Sequence, residues 1–272
     1  MSLAATGFAS RIMPLKFCAN LAFQFNEAES VLERFRLAKA AGFKAVEMVF
    51  PANVNLEELV AVKKETGLDV ILMNIDCSNG GTFGCASFVN SCEDFKKNLL
   101  NTIRVAKAVD CKKIHIMGGK HTETPDEKND AFYLANLRVA AQLLNEANLI
   151  GVIEPINKYS LPGYYLNCYE KAIKIIKAVN QHNLRLMVDL FHMQHIRGDI
   201  TNGLKEFAPY IGHVQIAQCP HRHEPDTDGE VNWKYVLKTL EEHYNDYVGC
   251  EYRPLAGTAE GLKWIKDFGY EL

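Results

Sequence analysis

Apolar residues along this chain follow two periods that alternate from one end to the other. Short runs rich in Val, Ile and Leu, typical of buried strands, occupy residues 15–21, 43–51, 68–76, 111–119, 149–155, 184–189, 211–217 and 246–252. Between them, apolar residues recur every three or four positions, which is the period of an amphipathic helix, as in Phe95, Leu99, Ile103 and Ala106. Eight such alternations without a linker predict one α/β domain over residues 15–272, a (β/α)₈ TIM barrel.

Loop-forming segments refine this picture. Residues 77–91 and 219–232 are rich in Gly, Ser, Asn, Asp or Pro, and each follows a predicted strand, so we expect long loops over the mouth of the barrel. The second choice of architecture is an open doubly wound sheet, which is disfavoured because no GxGxxG turn follows the first strand. Residues 1–14 contain no long apolar segment, so we expect a loose tail rather than a signal peptide.

Composition favours a small-molecule partner. The chain has 272 residues, of which 48% are hydrophobic, and its formal net charge is −3, so it carries no electrostatic signature of binding to nucleic acid or to an anionic membrane. The eight cysteines form no CxxC pair and are expected to be reduced thiols. No apolar run approaches the roughly 20 residues of a bilayer-spanning helix. We therefore predict a cytoplasmic protein and leave open whether it forms a homo-oligomer.

Four polar residues stand at the ends of the last four predicted strands: Glu154, Asp189, Gln215 and Glu251. They are separated by 35, 26 and 36 residues, about the length of one strand and helix of such a barrel. Neighbouring parallel strands end at one mouth, so these side chains are expected to meet there. Clustered carboxylates repel each other unless a cation lies between them. Because oxygen donors suit hard ions, the sequence predicts a site for Mg²⁺ or Mn²⁺.

Such a site supports proton transfer between adjacent carbons. A cation that binds a carbonyl and its neighbouring hydroxyl stabilises the enediolate formed when a proton leaves. Glu154 and Glu251 are the natural pair to remove and return that proton. His192 follows Asp189 by three residues and is predicted to contact the substrate or to orient a ligand.

A set of phrases in this order resembles the hydroxypyruvate isomerase family, within the xylose isomerase-like barrels: IEPIN, DLFHMQ, GHVQIA, PHRHEP, GEVNW and GCEYRP. The resemblance extends from about Leu15 to Phe268. It implies interconversion of hydroxypyruvate and 2-hydroxy-3-oxopropanoate (tartronate semialdehyde). The loop reads EPDTDGE where a glycine-richer EPGTGE is expected, which raises the question of how that loop closes and whether an anionic substrate is favoured.

The motif match carries the family's roles onto particular positions. It assigns metal ligation to Glu154, Asp189, Gln215 and Glu251, and acid/base catalysis to the first and last of these. The related keto-sugar epimerases have a histidine at the position of Gln215, so this amide favours the isomerase branch. The match also implies substrate-binding positions at His192 and Arg222, and it places two further candidates within similar phrases, Glu47 and Lys120. His115, on the fourth strand, is either a substrate contact or a histidine satisfied inside the barrel.

Three other functions remain open at this level. The same site could serve a keto-sugar or a 2-oxo sugar acid. A metal-dependent endonuclease is expected to have a basic face and a histidine-rich site that binds several metal ions. The net charge of −3 is evidence against this function. A barrel that binds but has lost catalysis would show no turnover despite bound metal.

Overall fold

The computed structural model describes residues 14–81 and 83–272, so the predicted N-terminal tail lies almost wholly outside the described residues. Eight parallel strands close into a barrel in chain order, which confirms the predicted (β/α)₈ fold. The strands are β1 Lys16–Asn20, β2 Ala45–Met48, β3 Asp69–Asn74, β4 Lys113–His115, β5 Ile150–Ile153, β6 Leu184–Asp189, β7 Ile211–Ile216 and β8 Tyr247–Cys250.

Helices follow every strand and cover the outside of the barrel. They are α1 Val31–Ala40, α2 Leu56–Thr66, α3 Cys92–Ala108, α4 Glu127–Glu146, α5 Tyr169–Val179, α6 Leu190–Ile196, α7 Ile200–Phe207, α8 Trp233–Glu241, α9 Thr258–Gly261 and α10 Lys263–Asp267. Helix α2 shows how local sequence sets these bounds: the Asn55 side chain accepts from two backbone N–H groups at its start, and Gly67 ends it at φ 65°. Among the described residues, no helix is long and apolar enough to cross a membrane.

The apolar core lies mainly between the strands and the helices. Side chains on successive strand residues point to opposite faces, and the outward faces carry buried residues such as Val46, Ile114 and Val214 that pack under the helices. Inside the barrel, Leu72, Val152 and Met187 form a separate small apolar cluster. Other buried strand positions carry polar side chains, such as Glu47, His115 and Gln215.

Strand register brings the polar interior positions side by side. Asp189 pairs with Gln215 across β6 and β7, and Gln215 pairs with Gly249 across β7 and β8. Asn20 pairs with Glu47 across β1 and β2. Because all strands run in the same direction, the polar residues at their carboxyl ends converge on one face.

Lys113 on β4 is a buried cation that the fold must neutralise. Its side chain is 7% exposed, and its Nζ lies 2.7 Å from Oδ2 of Asp246, which precedes β8. Burial raises the pKa of Asp246, but the hydrogen bond and charge of Lys113 outweigh it, so the pKa falls below its ordinary value. A buried ammonium that loses its partner is strongly unfavourable.

We expect Asp246→Asn to destabilise the protein by about 1–3 kcal/mol, because Lys113 then loses its charged acceptor. Position 246 is half-exposed, so water can replace part of the lost interaction and limit the effect. Urea unfolding measures this change. The matched control is Asp110→Asn, which removes a surface partner of Lys112 and should change stability by less than about 0.5 kcal/mol. Equal effects of the two substitutions would contradict the role given to the Lys113–Asp246 pair.

Candidate active site

A cavity of about 640 Å³ opens at the carboxyl ends of the strands. Six of the predicted site residues are among its walls: His115, Glu154, His192, Gln215, Arg222 and Glu251. Arg253 also lines it, and the two arginines lie on the segments that follow β7 and β8. The wall formed by the β2 and β3 segments is largely apolar and includes Met48, Phe50, Leu72 and Ile75. One side of the cavity is thus densely charged and the other is apolar.

Three of the four predicted ligand residues belong to the charged side, and the fourth, Asp189, is buried next to them outside the cavity wall. Glu154 directly follows β5 and Asp189 is the last residue of β6. Gln215 lies in β7, and Glu251 directly follows β8. Glu154 and Asp189 are buried, while the Glu251 side chain is 17% exposed. The strand ends therefore bring three carboxylates and one amide, far apart in sequence, to the same region.

Arg222 bridges two of these carboxylates. Its Nη2 lies 3.0 Å from Oδ2 of Asp189 and 3.1 Å from Oε2 of Glu251. The guanidinium also lies between the rings of Phe23 and Phe191, at 4.6 and 4.7 Å from their centroids. The cation is thus held in a fixed place beside the carboxylates.

The backbone around Arg222 is fixed as firmly as its side chain. Its φ of 61° lies in the left-handed region, which is uncommon for arginine. Its N–H donates to Gln218 O, and its carbonyl accepts from Arg253 N. The Gln218 side chain in turn donates to carbonyls of the following loop, including Thr227 O and Val231 O. Hydrogen bonds within the loop therefore hold an uncommon backbone conformation, which directs the Arg222 guanidinium toward the carboxylates.

Hydrogen bonds decide which nitrogen of His192 carries the proton. The Asn157 Oδ1 accepts from the N–H groups of Tyr159 and Ser160, so its Nδ2 is the donor that lies 2.7 Å from His192 Nδ1. The Asn157 backbone N–H also donates to this Nδ1. Nδ1 is therefore an acceptor, and the proton of the neutral ring resides on Nε2. Nε2 faces Glu154 at 3.8 Å and Asp189 at 3.5 Å.

His115 lies on the other side of Glu154. Its Nε2 is 3.6 Å from Glu154 Oε2 and has no hydrogen-bond partner among the described residues. Burial is the main cause that lowers the pKa of His115 to about 3, and the charge of the nearby His213 is a second cause. Burial and the charge of Arg222 also lower the pKa of His192. Both rings are thus neutral at physiological pH and do not offset the negative charge of the carboxylates.

Burial raises the pKa values of all three acidic groups, and neighbouring carboxylates add to this for Glu154 and Glu251. Burial raises the pKa of Glu154 well above its ordinary range, and the charges of Glu251 and Asp189 raise it further. Burial likewise raises the pKa of Asp189 and of Glu251, against the lowering effect of Arg222. The single positive charge of Arg222 therefore does not neutralise the negative charges of three ionised carboxylates.

The donor groups fit a divalent cation. Single ligand atoms of Glu154, Asp189 and His192 lie within 4.8 Å of one another. Glu154 Oε1 and Gln215 Oε1 are buried, and neither has a hydrogen-bond partner in the described part of the chain. Carboxylate and amide oxygens suit a hard ion. Because Nε2 of His192 carries a proton, that ring is placed to donate a hydrogen bond rather than to ligate.

Two predicted substrate-binding residues occupy other places. Glu47 is fully buried behind Gln215 and is not part of the cavity wall. Lys120 is exposed beyond β4, where its backbone pairs with Tyr164, and it also lies outside the cavity wall. The phrases around these residues resembled the family's, but a phrase does not show which way a side chain points.

Several residues at the site were missed by the sequence analysis. They are Asn20 and His213, which contact Glu47, Asn157, which orients His192, and Arg253 on the cavity wall. Strand periodicity offered a signal for His213, since it lies two residues before Gln215 and therefore faces the barrel interior with it. Asn157 and Arg253 lie within the phrases IEPIN and GCEYRP, but strand periodicity does not mark either of them.

Comparison with known proteins identifies the class to which this fold and site belong. Residues 35–268 match the family model described as xylose isomerase-like TIM barrel, and the chain belongs to that family. It is an isomerase. An Escherichia coli relative named hydroxypyruvate isomerase is 38% identical over 93% of this chain and 99% of its own length. A relative from Drosophila melanogaster is 44% identical over 96% of this chain and its whole own length.

A solved structure shows how closely the barrel is shared. The crystal structure from Brucella melitensis, whose name is AP endonuclease, family 2, has a TM-score of 0.89 and 35% identity and covers 94% of this chain and 99% of its own. That name describes the Brucella protein. In this chain, the described residues contain one group of three side chains close enough together to hold a metal ion, Glu154, Asp189 and His192, of which the two carboxylates are the better donors.

Proposed function

We propose that this protein interconverts hydroxypyruvate and 2-hydroxy-3-oxopropanoate by proton transfer through an enediolate. The observation that carries the proposal is a cavity that admits a small molecule and is lined by Glu154, Glu251 and Gln215, with Asp189 buried beside them. Within the described part of the chain, the Gln215 amide oxygen has no hydrogen-bond partner. The name of the Escherichia coli relative supports this substrate.

We propose Glu154, Asp189, Gln215 and Glu251 as the ligands of Mg²⁺ or Mn²⁺. When bound, the cation would polarise the substrate carbonyl and stabilise the negative charge that develops on the two adjacent oxygens. The excess negative charge of the three carboxylates supports its presence.

The chain's own residues would carry out the proton transfer. One of Glu154 and Glu251 removes a proton from C3 of hydroxypyruvate, and the C–H electron pair becomes the C2–C3 double bond of the enediolate. The other glutamate, in its protonated form, gives a proton to C2, while the hydroxyl proton on the C3 oxygen passes to the C2 oxygen, so that C3 becomes the aldehyde and C2 carries the hydroxyl. His192 donates its Nε2 proton toward the substrate oxygens, and Asn157 keeps the ring in that tautomer.

We expect Glu154→Gln and Glu251→Gln each to lower kcat for hydroxypyruvate by about 10²–10⁴-fold, because an amide cannot accept the transferred proton. Proton NMR in deuterated water measures both the loss of substrate and the incorporation of deuterium at C2 of the product. The matched control is Glu242→Gln on the exposed end of α8, which should leave kcat unchanged. Full activity in both site variants would refute the proposed mechanism.

A longer substrate is the second candidate. A Cupriavidus necator relative named 2-oxo-tetronate isomerase is 37% identical over 93% of this chain, and it supports a four-carbon acid. The cavity of about 640 Å³ also extends past the charged side toward an apolar wall. A panel of 2-oxo acids and keto-sugars separates the two candidates, since a far larger kcat/KM for the longer compound would favour the second.

Recognition of a substrate carboxylate requires a cation whose charge is not already neutralised. Of the two arginines on the cavity wall, Arg222 is already paired with Asp189 and Glu251. The Arg253 guanidinium is exposed, lies 5.9 Å from the Phe23 ring centroid, and has no carboxylate within 4.0 Å among the described residues. Its backbone is fixed by hydrogen bonds to Arg222 O and from His223. We therefore propose Arg253 as the group that binds the substrate carboxylate.

We expect Arg253→Gln to lower kcat/KM for hydroxypyruvate by about 10–100-fold, because a charge-assisted hydrogen bond is lost. Dihydroxyacetone, in which a neutral CH₂OH replaces the carboxylate, should be converted equally by both proteins. Steady-state kinetics on the two compounds measures this difference. The matched control is Lys158→Gln, which removes an exposed cation outside the cavity wall. An equal loss on both compounds would show that Arg253 serves another role.

A further inference from the structure

A carboxylate that the proposed chemistry does not use lies directly behind the site. Glu47 on β2 is fully buried, and its carboxylate contacts Asn20, His213 and Gln215. We propose that Glu47 is a positioning residue that fixes the amide of Gln215 so that its oxygen, not its nitrogen, faces the cation site. This inference rests on the metal site proposed above.

The contacts of Glu47 determine the orientation of that amide. Its Oε1 accepts hydrogen bonds from Gln215 Nε2 and Asn20 Nδ2, both at 2.7 Å. Its Oε2 lies 2.6 Å from His213 Nε2. An ionised carboxylate can only accept hydrogen bonds, so it binds the NH₂ end of the neighbouring amide and repels the oxygen end. The Gln215 oxygen is therefore directed away from Glu47.

The Gln215 oxygen that is directed away from Glu47 accepts no hydrogen bond from the described residues. Gln215 Oε1 is buried, and among residues 14–81 and 83–272 it has no hydrogen-bond partner. Gln215 nevertheless forms part of the cavity wall beside Glu154 and Glu251. A buried acceptor without a partner is unfavourable, and a cation at the carboxylates would satisfy it.

The fold also reserves the space that Glu47 needs. A methyl group added at Gly249 would overlap both carboxylate oxygens of Glu47. Gly249 is the register partner of Gln215 and lies two residues before Glu251. The glycine of the GCEY segment thus allows Glu47 to reach Gln215 from the opposite side of the barrel.

We expect Glu47→Gln to weaken Mn²⁺ binding by about 10–100-fold, as is typical when the group that orients a metal ligand is removed. The replacement has the same shape but presents an NH₂ group or a single oxygen, so it no longer enforces one orientation of Gln215. Electron paramagnetic resonance of free Mn²⁺ during titration measures affinity without any assay of activity. Circular dichroism of the metal-free variant establishes that it is folded.

A double-substitution cycle separates orientation of Gln215 from a general structural effect. In a Gln215→Ala background, where no amide remains to be oriented, Glu47→Gln should change the Mn²⁺ dissociation constant by less than about threefold. A merely structural Glu47 would weaken binding equally in both backgrounds, and that result would overturn the inference. Gly249→Ala is a second variant that displaces the carboxylate without removing it, and it should weaken binding in the same way.

The outcomes also distinguish this inference from the function on which it rests. Wild-type protein that binds no Mn²⁺ would contradict the metal site itself. Wild-type protein that binds Mn²⁺ with the same affinity as Glu47→Gln would leave the metal site intact and refute only the role of Glu47.

Discussion

Mutual repulsion among Glu154, Asp189 and Glu251 is the interaction on which the site depends. Three carboxylates brought to one end of a barrel, two of them buried, can all be ionised together only with compensating positive charge. Arg222 supplies part of it through close contacts with Asp189 and Glu251, and the neutral His115 and His192 supply none. The proposed cation completes this balance, and its charge is also what the proposed proton transfer requires.

The barrel interior is built to support this concentration of charge. Among the described residues, Leu72, Val152 and Met187 form one small apolar cluster that is separate from the main core. Next to that cluster, Glu47 holds Gln215, and the buried Lys113 is neutralised by Asp246. Each of these polar contacts joins residues from distant strands, so the closed barrel and the site stabilise each other. Closure of the strands is therefore as necessary to the chemistry as the ligands are.

The fold and the convergence of polar strand ends on one face could be predicted from the sequence because both depend on local patterns. Alternation of strand and helix periods defined the barrel, and polar residues at strand ends indicated where Glu154 and Asp189 would meet. Lateral contacts have no such pattern: Gln215 and Glu47 are 168 positions apart, and only the closed barrel brings them together. For the same reason, sequence could not show that Glu47 points behind the cavity, or that Arg222 is already paired.

Anomalous diffraction from Mn²⁺-soaked crystals tests the central claim most directly, because it locates the ion independently of any assay. The account predicts one strong anomalous peak coordinated by Glu154, Asp189, the Gln215 oxygen and Glu251, with the amide nitrogen still bonded to Glu47. An anomalous peak elsewhere would contradict it. So would the absence of a peak at the barrel mouth, with the Arg222 guanidinium as the only cation beside the carboxylates.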